Sequence, residues 1–311
     1  MINSKDYITV VGGANVDIIG SPYEELRMKD SNPGENTISL GGVGRNIGEN
    51  LVRLGIETLL ITAIGNDIYG KLIIEESRKI GLNIEESLVL KNENTSTYMA
   101  ILGEDGDMEL ALSSMGIIEK MGIPFIERKR EIIEKSALCI LDTNIRSELL
   151  EYLVRNFNVK FFLDTVSTTK AEKVKNILGN FHTIKPNKLE AEILSGIKIN
   201  NMEDLRNVGA YFVNKGVKRV FITLGEDGVY YFDGEIEKYI NPPDIRVLNA
   251  TGAGDAFMAA LAYAYIHNLD IENTIKFAMT TSILTLENQY TINPNLSVEN
   301  INNRMKELKL C

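Results

Sequence analysis

Residues 249–260 read NATGAGDAFMAA and place an acid directly after a glycine-rich turn, where an apolar helix begins. Free backbone N–H groups and the positive end of the helix dipole meet in such a turn, which predicts a site for an anion. Asp255 could be there only for its interaction with the dipole, worth about 0.3–1 kcal/mol, or it could deprotonate a hydroxyl beside a bound phosphoryl group. The turn lacks the lysine of a Walker loop, so we expect backbone groups alone to hold any phosphate. Its residues are Thr251, Gly252, Ala253 and Gly254.

The stretch GGANVD at 12–17 follows a strand-like run directly. Asn15 and Asp17 lie on the same side of an extended segment, because side chains alternate there with a period of two. An ionised aspartate accepts two charge-assisted hydrogen bonds, which suits the paired hydroxyls of a sugar. Asn and Asp also form turns at strand ends, so this segment alone leaves both interpretations open.

A second glycine-rich stretch, GGVGRNIGENL, covers residues 41–51. Gly41, Gly42 and Gly44 expose backbone that a ligand could approach closely, and Asn46 can donate and accept hydrogen bonds at the start of a helix. The alternative is a tight turn with an asparagine cap. The spacing is not that of a dinucleotide-binding turn, because the third glycine comes one place late and no strand obviously precedes it.

Two further segments carry polar groups or glycines after strand-like runs. KPNKLEAE at 185–192 places Asn187 and Glu190 three residues apart at the start of a helix, which suits either a capping box or a hydrated Mg²⁺ ion. TLGEDGVYYF at 223–232 reads as a hairpin whose glycines, Gly225 and Gly228, would let a flat ligand or a phosphate lie against backbone.

The composition excludes several classes of protein. The formal charge of −10 argues against nucleic-acid binding and against binding to anionic membranes. Since no apolar run is long enough to span a membrane and the start, MINSKDYITVV, lacks a signal-peptide pattern, we expect a cytoplasmic protein. Two histidines, His182 and His267, are too few for a zinc hydrolase site, so we interpret both as structural. Two cysteines are too few for a disulfide framework, so we interpret Cys139 as structural and Cys311 as a tail residue.

Apolar runs alternate with helical patterns along the chain. Alternation of this kind predicts an α/β fold with a mostly parallel central sheet, helices on both faces and ligands beyond the carboxyl ends of the strands. The helical patterns include Ile47 with Leu51, and Phe257 with Leu261, each pair on one helix face. The predicted strands are residues 7–11, 58–64, 137–141, 159–163 and 219–224.

Residues 15–40 and 95–112 interrupt this rhythm with short alternating strands and turns. We expect them to form a small sheet at one edge of the molecule, a candidate lid over the site. The rest of the chain shows no linker or repeat, which predicts a single domain over 1–311.

Taken together, GGVGRN, the Asn187-x-x-Glu190 element and the Gly252-Ala-Gly-Asp255 signature resemble the ribokinase family of sugar and nucleoside kinases, also called the PfkB family. The likeness extends over nearly the whole chain, and several less general stretches favour a nucleoside as substrate. It implies a three-layer α/β/α sandwich with a β-sheet lid, ATP and Mg²⁺ as cofactors, a small-molecule nucleoside or sugar substrate, and a homodimer formed through the lid. It also identifies Asp255 as the general base.

The resemblance implies further roles, residue by residue. The substrate-binding positions are Asn15, Asp17, Gly41, Gly42, Asn46 and Asn144. The ATP-binding positions are Asn187, Thr223, Gly225, Gly228, Thr251, Ala278, Met279 and Ser282, and the metal position is Glu190, acting through water.

The chain departs from the family pattern in three places. The usual Asp-Thr before the signature is Asn249-Ala250, which bears on K⁺ as a candidate monovalent ligand, because the missing Asp commonly helps to bind one. Asp164 is followed by Thr165 instead of proline, and Ser113-Ser114 precede Met115 in the lid, where side chains should help to read the base. Kinases for ribose, adenosine or a fructose phosphate, and a sensor that binds without catalysis, remain alternatives.

Overall fold

The computed structural model describes residues 7–310; residues 1–6 and Cys311 lie outside it. The strands are β1 Tyr7–Val11, β2 Asn15–Pro22, β3 Gly34–Gly41, β4 Glu57–Ile61, β5 Ala63–Gly65, β6 Leu88–Leu90, β7 Thr97–Leu102, β8 Met108–Ser114, β9 Leu138–Asp142, β10 Phe161–Asp164, β11 Thr183–Lys185, β12 Arg219–Thr223, β13 Val229–Phe232 and β14 Glu237–Ile240. Eight of them form a central sheet in the order β14-β13-β12-β11-β10-β9-β1-β4, parallel except for the antiparallel hairpins at the β14 edge.

Helices cover both faces of the central sheet. Alternate residues of β9 show this directly, because Cys139 and Leu141 pack into one apolar core and Ile140 into another. The structure therefore has the predicted three-layer α/β/α architecture. The helices are α1 Val43–Arg53, α2 Ile68–Ile80, α3 Ile123–Glu127, α4 Arg130–Glu134, α5 Ser147–Asn156, α6 Thr168–Ala171, α7 Lys188–Ser195, α8 Met202–Lys215, α9 Ala253–Ile266, α10 Ile271–Leu286 and α11 Val298–Glu307.

The predicted strands form where buried apolar runs required them, with one difference. The run 58–64 was expected as a single strand, but the chain leaves the central sheet at Thr62 and then pairs β5 with β6. Thr62 is fully buried at this change of direction, and its N–H keeps a hydrogen-bond partner because it donates to the Ser87 hydroxyl at 3.1 Å. In residues 7–310, none of the helices is both long and apolar enough to cross a bilayer.

A separate four-stranded sheet, which we call the small sheet, has the order β3-β2-β7-β8. It arises from the two segments that were expected to form it, and its strands extend one or two residues beyond the expected limits. β2 carries Asn15 and Asp17, and β3 ends at Gly41, immediately before α1. A strand thus does lead into the glycine-rich turn at 42, contrary to the expectation that no strand precedes it.

Candidate active site

A cleft of about 710 Å³ opens where the parallel strands end. The last residues of β10 and β11, Asp164 and Lys185, line it from the sheet, and the first turn of α9 also lines it. This is the edge at which α/β sheets bind ligands. The two histidines do not line the cleft: His182 stacks on Phe162 and His267 on Tyr263, as structural residues do.

Asp255 lies in the first turn of α9, is 9% exposed and faces the cleft. Its Oδ2 accepts a 2.8 Å hydrogen bond from Nδ2 of Asn46, which projects from α1. Burial, reinforced by the charge of Asp164, raises the pKa of Asp255 to about 7, while Asn46 and the Lys185 ammonium oppose the rise. A carboxylate with such a pKa is suited to take a proton from a hydroxyl near neutral pH.

The turn before α9 has the geometry of an anion site. Gly252 adopts a φ of +85°, and a Cβ there would collide with the carbonyl oxygen of Thr291, so only glycine fits. The N–H groups of the next residues belong to the first turn of a 14-residue helix and have no intrahelical partners. Ser282 fixes the turn from α10, since its hydroxyl donates to the Ala253 carbonyl at 2.8 Å. Thr251 is exposed beside it.

Asn187 and Glu190 form the capping box that was one of their two interpretations. The Asn187 side chain accepts the Glu190 N–H, and the Asn187 N–H donates to Glu190 Oε2, both at 2.9 Å. Oε2 also accepts the Thr165 hydroxyl at 2.6 Å, so the residue that replaces the family's proline orients the carboxylate. Glu190 nevertheless lines the cleft, and a single oriented carboxylate fits Mg²⁺, which takes few protein ligands and keeps several waters.

The structure adds a buried ion pair that the sequence reasoning missed. Lys185 Nζ lies 3.1 Å from Asp164 Oδ2, with both side chains at most 7% exposed, although that oxygen receives no aligned hydrogen bond. Burial lowers the pKa of Lys185, but Asp164, Glu190 and Asp255 outweigh it and raise the pKa overall. The signal was present in the motif KPN, where only the asparagine had been assigned a role.

On the other side of Asp255, the small sheet and the loop after β1 carry the expected substrate residues. Asn15 Nδ2 donates to Asp17 Oδ1 at 2.6 Å, which leaves Oδ2 without that donor. Burial raises the pKa of Asp17, opposed by Asn15 and by the charge of Arg45. Neither Asn15 nor Asp17 lines the 710 Å³ cleft, so the structure divides the expected site residues into two groups that meet at Asp255.

The glycines at 41–44 have close neighbours from the chain itself. A Cβ at Gly41 would collide with the Asp17 carboxylate, and one at Gly42, where φ is +96°, would lie 2.6 Å from the Gly13 carbonyl oxygen. These glycines therefore allow α1 to pack against the loop after β1 and bring Asn46 to Asp255.

Asn144 lies next to a second buried acid, Asp142. Asp142 accepts N–H groups from Gly13 at 2.7 Å and Asn144 at 2.8 Å, while burial raises its pKa to about 6. The side-chain oxygen Oδ1 of Asn144 accepts a hydrogen bond from Lys170 Nζ at 2.6 Å. Asp142 is absent from the residues predicted from the sequence, although an acid at the end of a buried strand is a signal for such a site.

The expected nucleotide-binding residues mostly line the cleft. Thr223, Gly225 and Gly228 do so from the turn after β12, and Met279 and Ser282 from α10. Ala278 does not line it, because it is fully buried in the helical core. Thr251, which is exposed, does not line it either.

Comparison with known proteins gives one consistent group of relatives. A model of the pfkB family of carbohydrate kinases matches residues 5–298. The pseudouridine kinase of Escherichia coli is 38% identical over 302 residues, covering 96% of both chains. A putative sugar kinase from Clostridium perfringens superposes with a TM-score of 0.90 and 42% identity, covering 97% of this chain and 96% of that one. The Arabidopsis thaliana ribokinase, solved with ribose and ATP, shares the fold, with a TM-score of 0.86, 24% identity and coverage of 98% and 99%.

Proposed function

The chain belongs to the pfkB family of carbohydrate kinases, and is therefore a phosphotransferase with an alcohol acceptor; we propose that this acceptor is the ribose 5′-hydroxyl of pseudouridine. The product would be pseudouridine 5′-phosphate and the donor ATP. Besides the similarity to the Escherichia coli enzyme, five stretches resemble pseudouridine kinases. They are DSNPG at 30–34, GGVGRNIGENL at 41–51, ENTSTY at 93–98, KPNKLEAEILSG at 185–196 and NQYTINPNLS at 288–297.

The observation that carries the proposal is the position of Asp255, a buried acid with a pKa of about 7 beside free helix N–H groups. Asp255 takes the proton of the attacking hydroxyl, while the backbone amides of the turn 252–254 stabilise the negative charge of the phosphoryl group in the transition state. Asp17 and Asn15 hold the sugar hydroxyls from the small sheet. Glu190 would hold Mg²⁺ through water, and the ion would supply neutralisation of the phosphate charges.

The substrate is tested with a panel of acceptors. The protein is incubated with ATP, Mg²⁺ and pseudouridine, uridine, adenosine, ribose or fructose 6-phosphate, and ADP and phosphorylated product are quantified. We expect pseudouridine to be the preferred acceptor. Equal phosphorylation of pseudouridine and uridine would reject the substrate, transfer to another member would assign another kinase, and calorimetric binding without ADP formation would identify a sensor.

We propose that turnover does not require K⁺. Asn249, which replaces the family's Asp, has both ends of its side chain engaged: Oδ1 accepts the Thr251 N–H at 2.9 Å and Nδ2 donates to the Gln289 carbonyl at 3.2 Å. A neutral side chain that places a donor on a neighbouring carbonyl does not fit a cation. Turnover should be equal in potassium and N-methylglucamine chloride, and Asn249→Asp should create a preference for potassium.

A homodimer through the small sheet is a further proposal. Ile38, Ile18, Met99 and Leu112 are direct partners across all four strands and form one apolar row. Ile38 and Leu112 are 56% and 64% exposed, which is unusual for a row of this length and suits contact with a second copy. Light scattering should give twice the chain mass, and Leu112→Lys should give the monomer; a wild-type monomer would reject the dimer.

A further inference from the structure

The lining of the cleft carries more acidic than basic side chains, which bears on how it could bind a nucleoside triphosphate. Among the described residues that line it, Lys185 is the only lysine or arginine. Without a cation beyond the metal, the terminal phosphoryl group would face a strongly anionic wall while it gains contact with the helix N-terminus. The acidic residues of the lining are Asp164, Glu190, Glu226, Asp244 and Asp255.

Lys185 is held beside the first turn of α9, within the lining of the cleft. Its Nζ lies only 3.2 Å from the place that a Cβ at Gly254 would occupy, so the ammonium is against the first turn of α9. Asp164 is its ion-pair partner on the neighbouring strand, where the two residues are direct partners in the register. The other oxygen of Asp164 accepts a hydrogen bond from the Val166 N–H at 2.9 Å. This bond orients the carboxylate that in turn pairs with Lys185.

The ammonium keeps donors for a ligand. An ammonium has three N–H donors, and Asp164 occupies at most one of them. The side chain is 7% exposed, and the part of the cleft that it lines also contains Gly254 and Asp255. The buried ammonium, with its free donors, lies beside the N-terminus of α9, a helix of 14 residues. The ammonium and the helix N-terminus are two independent components of one anion site.

We propose that Lys185 is a catalytic residue whose Nζ binds the phosphoryl group in transfer, and that it completes the anion site formed by the α9 amides. This inference rests on the proposed phosphotransfer function. In the step, the acceptor oxygen bonds to the γ-phosphorus as the bond to the β,γ-bridging oxygen breaks; the electron pair leaves with ADP, and the hydroxyl proton goes to Asp255. Lys185 stays protonated throughout and neutralises charge on the equatorial oxygens. The anion site thus contains the lysine that a backbone-only turn would lack, supplied by a strand about 70 residues earlier in the chain.

The competing role for Lys185 is structural, as the counter-ion of Asp164. The two roles differ in which variants recover activity. Lys185→Met removes the cation but leaves a buried carboxylate unpaired, whereas the double variant Asp164→Asn with Lys185→Met removes both charges. If Lys185 only balances Asp164, the double variant recovers turnover. If it contacts the phosphoryl group, the double variant recovers thermal stability but not turnover.

The kinetic experiment compares these two variants with wild type and with Lys175→Met, which removes an exposed lysine. We expect Lys185→Met to lower kcat by about 100- to 1000-fold, as loss of one oxyanion donor does, with the KM for the nucleoside within a few-fold of wild type. Lys175→Met should be unchanged. Wild-type kcat in Lys185→Met, or recovery in the double variant, would overturn the proposal.

A binding experiment needs no acceptor and separates this inference from the proposed function. Calorimetry with Mg²⁺ measures ADP and the β,γ-imido analogue of ATP on wild type and on the double variant. We expect affinity for the analogue to fall at least tenfold, while affinity for ADP, which lacks the γ-group, stays within about twofold. Equal losses for the two nucleotides would overturn the role of Lys185, even if the acceptor panel succeeds. If the panel fails but the selective loss is seen, the acceptor assignment fails and Lys185 remains a γ-phosphate ligand.

Discussion

Asn46 in the first turn of α1 and Asp255 in the first turn of α9 are joined by a 2.8 Å hydrogen bond across 209 residues of sequence. The bond links the side of the site that carries the expected substrate residues to the 710 Å³ cleft. Because the amide donates to the charged form of the acid, it offsets part of the rise in pKa that burial causes. Asn46, an expected substrate contact, therefore also lowers the pKa of the proposed base Asp255.

The pH dependence of turnover should report this pair. Since the proposed base is active when deprotonated and the pKa of Asp255 is raised to about 7, kcat/KM should increase with pH with a midpoint at about pH 7 and level off about one pH unit above it. Asn46→Leu removes the donor and should move the midpoint to higher pH, whatever it does to the maximal rate. Steady-state rates between pH 5.5 and 9 measure both midpoints, and coincident midpoints would show that the bond does not tune the base.

Asp255→Asn should separate stability from activity. A pKa raised from 3.8 to about 7 means that the folded state binds the proton more tightly, so this group destabilises the fold increasingly as pH rises from about 4 to 7. The advantage in unfolding free energy of Asp255→Asn over wild type should therefore grow across that window, by up to about 1.4 kcal/mol per pH unit, and be constant above it. Urea unfolding of both proteins at pH 5 and pH 8 measures this difference.

The same Asp255→Asn protein should lose about 10²- to 10⁴-fold in turnover, while its affinity for nucleotide is largely kept. Asp142, whose pKa is also raised, is present in both proteins and largely cancels from the comparison. Near-normal turnover would contradict the role of Asp255 as the base, and a stability difference independent of pH would contradict its raised pKa.

How much of the site the sequence could predict depended on whether a role was local. The turn 252–255 and the capping box are local, so residue types and spacing were enough to suggest their positions. Lys185 and Asp142 reach the site only because of the order of the strands in the sheet. Asp164 is the register partner of Lys185 on one neighbouring strand and of Asp142 on the other. Three adjacent strand ends thus place these charges together, and the order of strands cannot be read from the strands themselves.

Helix phase explains the remaining difference on α10. Met279 and Ser282 are three residues apart and share the face that lines the cleft, whereas Ala278 is directed into the core. A motif comparison locates the helix but not the rotation about its axis, and one residue changes the direction of a side chain by about 100°.

Asp17→Asn should weaken the binding of the sugar more than it slows chemistry. The variant keeps the shape of the side chain but replaces charge-assisted acceptance of hydroxyl groups by neutral hydrogen bonds. We expect the KM for the nucleoside to rise about 10- to 100-fold, with kcat and the KM for ATP within a few-fold. Asp107→Asn, in the exposed hairpin between β7 and β8, is the matched control. A fall in kcat at unchanged KM would place Asp17 in the chemical step instead.

Gly252→Ala tests whether the anion turn depends on its packing against the segment at 291. An alanine at this positive φ costs about 1–2 kcal/mol of folding free energy. Its Cβ would also collide with the Thr291 carbonyl oxygen. Gly196→Ala has a similar φ, +75°, but open space around the new Cβ, so it measures the backbone cost alone. We expect Gly252→Ala to lose a further ~1–3 kcal/mol in urea unfolding, and its folded fraction to turn over about 100-fold more slowly, because a displaced turn misplaces its amides. Equal stability and normal turnover of the two variants would mean that the contact with Thr291 does not position the turn.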